Sequence, residues 1–279
     1  WSRSWINGES AFDDGNGHGT HVAGIIGSSD NTYPGIASNV DIISLKVLTD
    51  SGRGSFKGIN DAMEWCIENA DKYNIVALNM SLGDGTFSES PLQDGYSSEQ
   101  IAALNNLGIC VVSASGNGFY NSKVGVSYPS SDINSYSVGA VFHSNVGRAY
   151  NAHTSDADRL APFSQRDDEL TTVFAPGVLI PAAATGGDIV QLSGTSMAAP
   201  VVAGAIAVIQ NAALDLLGQR LSPAQIEDLL KSKGDTINDG DDEDDTVDNT
   251  DLNFPRINIE AIIEELTNQA GPGSFKVPY

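Results

Sequence analysis

Two histidines three residues apart, His18 and His21, stand in Gly17-His18-Gly19-Thr20-His21-Val22-Ala23-Gly24. Imidazole changes charge near neutral pH, so it serves as general base, metal ligand or buried structural group. Far along the chain, Ser196 lies in Leu192-Ser193-Gly194-Thr195-Ser196-Met197-Ala198-Ala199-Pro200, at the head of a long apolar run. A serine at the start of a helix has two readings. It caps the helix by accepting an N–H bond. Alternatively it is a nucleophile, and the free N–H groups and positive end of the helix support an oxyanion forming beside it. A third stretch, Asp235 to Asp251, holds eight aspartates and one glutamate. One reading is a solvated charge run. The other is calcium: Asp239, Asp241, Glu243 and Asp245, set around Gly240, suit oxygen ligation, although the full EF-hand spacing is absent.

Such residues need a frame to hold them. Val40–Val47, Ile75–Met80, Ile109–Ala114 and Tyr136–Val141 are too apolar to be half-exposed strands. They read as inner strands of a parallel sheet covered on both faces. Between them, Lys57–Lys72 carries Ile59, Met63, Cys66 and Ile67 at helical spacing, and Ser98–Leu107 carries Ile101, Leu104 and Leu107 before Gly108. The alternation predicts an α/β fold: a doubly wound, mostly parallel sheet with helices on both faces and right-handed crossovers. Ser196–Leu217 has no charge before Asp215 and reads as a helix buried through the middle of the protein. Pro200 is expected in its first turn, where a missing N–H costs nothing. Sites in such folds lie beyond the carboxyl ends of the strands, so the loops after Met80 and Ala114 come first.

The 279 residues, 41% apolar and 18% charged, suffice for one large core. One domain spanning 1–279 is expected, with its core at about 14–266 and 267–279 as a tail or linker. A net charge of −22 argues against nucleic acid and anionic membrane surfaces as partners. No apolar run reaches the ~20 residues that span a bilayer, and no targeting segment opens the chain. Cys66 and Cys110 read as small buried hydrophobes; two cysteines leave both a disulfide and the compartment open.

Taken together, Gly17–Gly24 and Gly194–Pro200 resemble the signatures of the subtilisin-like serine proteases, in the order histidine then serine. Asn79-Met80-Ser81-Leu82-Gly83, Ala114-Ser115-Gly116-Asn117, Phe174-Ala175-Pro176-Gly177 and Ile257–Ala261 extend the likeness from Asp14 to about Leu266. The resemblance implies an endopeptidase working through an acyl-enzyme on Ser196, with His18 as general base. It also implies Asn117 as side-chain donor of the oxyanion hole and His21 as a packed, non-catalytic histidine. Ser81, Leu82 and Gly83 match the edge that pairs with substrate main chain, and Gly52, Arg53 and Gly54 match the opposite edge. Ala114, Ser115, Gly116 and Ser127 then line the pocket for the residue before the cut. Their small size predicts room for a large apolar or aromatic side chain, and Arg53 favours an acidic residue further upstream. Secretion is the habit of the family. An α/β-hydrolase esterase is disfavoured, because Ser196 lacks Gly-x-Ser-x-Gly and the histidine precedes the serine.

One part of the pattern is missing. In the subtilisin order the acid precedes the histidine by roughly thirty residues, and only seventeen precede His18. Asp13, Asp14 and Glu9 lie too near the histidine helix to reach the far imidazole nitrogen from a neighbouring strand. The expected acid is therefore an aspartate on a preceding segment, ending a buried parallel strand and staying bound as an N-terminal fragment. The competing expectation is a pseudoprotease or binding module that kept the fold.

Overall fold

Runs too apolar to face water on either side become strands sandwiched between helices. The computed structural model describes residues 1–121, 124–240 and 247–271. In order, the chain forms β1 (Ser2–Ser4), α1 (His18–Gly27), β2 (Ser44–Lys46), α2 (Phe56–Tyr73), β3 (Ala77–Met80), α3 (Ser98–Asn106), β4 (Cys110–Ala114) and β5 (Ser135–Val141). It continues through β6 (Thr171–Pro176), β7 (Ile180–Ala183), β8 (Ile189–Leu192), α4 (Thr195–Leu217), α5 (Pro223–Ser232), β9 (Asp235–Asn238), β10 (Asn253–Arg256) and α6 (Ile259–Ala270). The main sheet has the order β3-β4-β5-β6-β10-β9 and is parallel except for β9. The fold is the expected doubly wound α/β arrangement.

Successive residues of β4 face opposite cores, as the pleat requires. Val112 packs with Val22 and Ile25 of α1, Ile206 of α4 and Ile262 of α6. Val111 packs with Met63 of α2 and Ile101 and Leu104 of α3. The two cysteines divide in the same way, Cys110 into the first core and Cys66 into the second, and both are free thiols. Burial pushes each thiol up to about 12.

Two strand pairs stand apart from the main sheet, one of them the antiparallel β7–β8 hairpin. β1 pairs with β2 in a separate parallel pair, and β2 does not pair with β3. Between β2 and β3 lies a cavity of about 1070 Å³. Leu45, Val47, Leu78 and Met80 line it, with Val22 and Met63 from the helices of the two faces, and it extends to His18. The run Val40–Val47 yields only three residues of strand, on the far side of that cavity.

By length and composition α4 is apolar enough to cross a membrane, against the expectation that no run reaches that length. It is enclosed by protein, with most of its apolar window buried, which is the environment of a core helix. Pro200 also departs from expectation. The helix starts at Thr195, so Pro200 is its sixth residue and removes the N–H that would bond the Ser196 carbonyl. The Ser81 hydroxyl donates to that carbonyl instead, at 2.8 Å.

Candidate active site

The site is built where the carboxyl ends of β3 and β4 meet the first turns of α1 and α4. α4 packs against β3, β4 and α1. Its N-cap is Gly194, and no side chain caps it. Ser196 therefore sits inside the first turn, and the capping reading of this serine falls. Gly194 holds φ 153° and ψ 164°, a backbone region essentially reserved for glycine. A Cβ placed there would lie 3.3 Å from Asn117 Nδ2 and 3.7 Å from the Ser196 amide nitrogen. Both groups thus flank Gly194 closely.

Asn117 follows β4 and is held by the residue before the serine. Its Oδ1 accepts from the Thr195 amide at 2.9 Å and from the Thr195 hydroxyl at 3.0 Å. Thr195 Oγ1 in turn accepts from the Gly116 amide at 3.1 Å. With Oδ1 occupied, the orientation of the carboxamide is set. Its NH2 remains as a donor close to Gly194, at the positive end of a 23-residue helix. Thr195 is the residue that sequence reasoning missed; its only signal was its place inside the Gly-Thr-Ser motif.

His18 opens α1, after Gly17 at φ 90°. The entrance of α1 is organised by Asp14, which accepts at Oδ1 from the Asn16 and Gly17 amides and at Oδ2 from the Thr20 amide and hydroxyl. Burial alone would raise its carboxyl; these four bonds outweigh it and hold the group below 3.8. Asp14 is a helix cap with both oxygens engaged, and among the described residues no carboxylate hydrogen-bonds to the His18 ring. Burial pushes the His18 imidazole below 6.5; the Asp14 charge pulls it up and His21 pushes it further down. His21 is fully buried, and its Nε2 lies 3.0 Å from the Ile180 carbonyl and 3.2 Å from that of Val190, bridging β7 and β8.

The expected substrate walls are arranged around Ser127. Its amide donates to the Ser115 carbonyl at 2.8 Å. A Cβ on Gly83 would meet Ser127 Oγ at 2.7 Å, and one on Gly116 would meet its Cβ at 3.3 Å. The serine side chain thus lies close to both glycines. Ser127 Oγ accepts from the Gly85 amide at 3.2 Å and lies 3.4 Å from Asp84 Oδ1. Ala114 ends β4 and is buried, and the buried Ser115 donates its hydroxyl to the Gln165 carbonyl. On the opposite side, Gly52-Arg53-Gly54 closes a tight turn: the Thr49 amide donates to the Arg53 carbonyl at 2.8 Å, and Gly54 bridges to Leu48. Leu82 is half-buried, and Gly83 and Arg53 are exposed.

The acidic run begins on β9, at the opposite edge of the main sheet from β3. Asp239 is fully buried and accepts from Arg166 at both oxygens, at 2.7 and 2.8 Å. Its Oδ2 also accepts from the Thr250 amide and hydroxyl at 2.9 and 2.5 Å. Asp239 therefore does not fit the ligand role expected of it. Asp241, Glu243 and Asp245 lie outside the described residues.

A model of the subtilase family matches residues 2–254. Subtilisin DY of Bacillus licheniformis is 36% identical over 242 residues, covering 85% of this chain and 77% of that protein. A thermostable alkaline protease of Halalkalibacterium halodurans is 35% identical over 75% of this chain, which spans about half, 51%, of its length. The crystal structure of a cold adapted subtilisin-like serine proteinase superposes with a TM-score of 0.66 at 30% identity, covering 89% of this chain and 80% of that one. The signatures around His18 and Ser196, the parallel sheet and these matches agree: the chain belongs to the subtilase family.

Proposed function

We propose that the chain is the catalytic part of a serine endopeptidase. Ser196 Oγ attacks the peptide carbonyl while His18 takes its proton, then returns it to the leaving amine; water releases the acyl group from Ser196 by the reverse sequence. The oxyanion is met by Asn117 Nδ2 and the Ser196 N–H. A peptide lies between Ser81-Leu82-Gly83 and Gly52-Arg53-Gly54 as an added strand, with its side chain before the cut directed at Ser127. The observation that carries the reading is the carboxamide of Asn117. Thr195 occupies its oxygen, which leaves its donor end free, and both that end and the Ser196 amide lie within 4 Å of the Gly194 Cβ position; this supports the pair as oxyanion donors.

The acid of the triad is assigned to a segment preceding Trp1. The cavity between β2 and β3 supports this. It is lined mostly by apolar side chains, is flanked by two strands that do not pair with each other, and reaches His18. A parallel strand seated there would fill both edges and could end in an aspartate facing the imidazole. The bound partner is then an N-terminal piece of the same protease. An extracytoplasmic place of work follows the habit of the family. Calcium binding falls to Asp241, Glu243 and Asp245.

A fluorophosphonate tests the assignment. The chain together with its preceding segment should be labelled at Ser196 and should cleave peptides; Ser196→Ala should lose both without unfolding. Residues 1–279 alone should react far more slowly, since losing the triad acid costs a serine protease about 10⁴ in kcat. Equal labelling of the two forms would remove the acid from that segment. A folded pair that neither labels nor cleaves would be a pseudoprotease, the reading favoured by a His18 ring that no carboxylate among the described residues hydrogen-bonds.

A further inference from the structure

We propose that Arg166, locked by Asp239, is a positioning residue for the oxyanion donor Asn117. Arg166 is 2% exposed and Asp239 0%. The guanidinium makes two charge-assisted bonds to the carboxylate and stacks 3.5 Å over the ring of Phe119. A third donor, Nη1, reaches the Ser164 carbonyl at 3.1 Å. Burying such a pair costs desolvation, and an apolar pair of similar volume often stabilises a protein as well or better. Stability alone is therefore a weak reason for it; what it does supply is fixed geometry.

That geometry bears on both sides of Asn117. Before it, the Gln165 amide donates to the Gly116 carbonyl at 2.9 Å, and the Ser115 hydroxyl donates to the Gln165 carbonyl at 2.8 Å. After it, Phe119 carries the guanidinium on its face, and its amide donates to the Phe163 carbonyl at 3.1 Å. The same segment holds the pocket floor: the Gly125 amide donates to the Arg166 carbonyl at 3.0 Å, and Gln165 Nε2 donates to the Gly125 carbonyl at 2.7 Å, two residues before Ser127. Residues 163–166 thus clamp the turn that carries the donor, and Arg166 is the bolt of the clamp. If the clamp slackens, Asn117 Nδ2 shifts relative to the Ser196 amide. The loss falls on the transition state, where the oxyanion exists, and leaves ground-state binding in place.

The inference rests on the reading of Asn117 as an oxyanion donor. Its test uses the chain with its preceding segment, Ser196 titrated with a fluorophosphonate so that kcat is counted per active site. Asp239→Asn should lower kcat about tenfold with KM changed less than about twofold. The double variant Arg166→Met/Asp239→Leu keeps the interior filled without charge. It should recover the melting temperature but not kcat. If the double variant recovers kcat as well, or if Asp239→Asn changes only the titrated fraction, the pair is structural and the inference is overturned. A parent protein that neither titrates nor cleaves overturns the endopeptidase reading, and this inference with it; an active parent with unchanged variants overturns this inference alone.

Discussion

At the scale of single residues, the proposed mechanism turns on two side chains. Removing the donor in Asn117→Ala should lower kcat by about 10²–10³ with little effect on KM, the loss known for this donor in subtilisin and carried over from that enzyme. Steady-state kinetics on one peptide substrate checks it, and a change confined to KM would make Asn117 a substrate-binding residue. His18 is the second. In residues 1–279 its ring should titrate below 6.5, because burial disfavours the imidazolium. Adding the preceding segment with its aspartate should move the midpoint upward, since a carboxylate favours the charged form. NMR of the ring carbon reads both values. Asn117 could be proposed from its place after an inner strand together with the family motif. Thr195 was not, because nothing in a lone threonine says that its hydroxyl and amide will pin an asparagine 78 positions earlier in the chain.

Among the elements, legibility followed burial. β4 and β5 could be found because they are fully buried and mostly apolar; β3, expected as an inner strand, has the same apolar run but lies at the edge of the main sheet. β8, largely exposed, and β10, interrupted by Pro255, carry no such pattern. Pro200 falls beyond the first turn, so it does cost a backbone hydrogen bond, and only the three-dimensional partner Ser81 reveals how that cost is offset. The β7–β8 hairpin shows how a helix histidine can be structural. His21 Nε2 faces two carbonyls while Nδ1 is buried without a partner. Burial lowers its pKa more than those carbonyls raise it. The unfolded chain therefore takes up the proton first as pH falls. The stabilisation is complete above about 6.5 and is lost as pH falls through the window below it. His18, lowered in the same way, adds to the slope. His21→Gln should flatten the fall of melting temperature across that window, and an unchanged slope would count against it. The acidic loop gives a sharper contrast. Asp239→Ala should destabilise with and without calcium, since it strands a buried guanidinium. Asp241→Ala should abolish only a calcium-dependent rise in melting temperature, and no response to calcium in the parent would end the calcium proposal.

The whole molecule carries 36 acidic against 14 basic side chains. Several of its ion pairs are surface contacts, such as Lys57–Asp61 and Lys231–Glu227, and these contribute little. Self-repulsion between like charges remains, and it opposes the compact state. Sodium chloride should therefore raise the melting temperature, most steeply below about 0.15 M, where the Debye length still exceeds about 8 Å. A flat or falling curve would show that attractive pairs outweigh the excess. The same charge should draw cationic peptides toward the cleft at low salt, so kcat/KM for a lysine-rich substrate should fall as salt rises.

The outer flank of β3 has a consequence for handling. Ala77–Met80 bonds to β4 on one side only, which leaves a row of backbone donors and acceptors facing the cavity. Such a row is a template for any passing extended chain, including another molecule's. Residues 1–279 on their own should therefore self-associate as they are concentrated. Sedimentation velocity across a dilution series should show this, and an excess of a peptide able to occupy the groove should reverse it. Solubility would then report occupancy of the groove before any substrate is added.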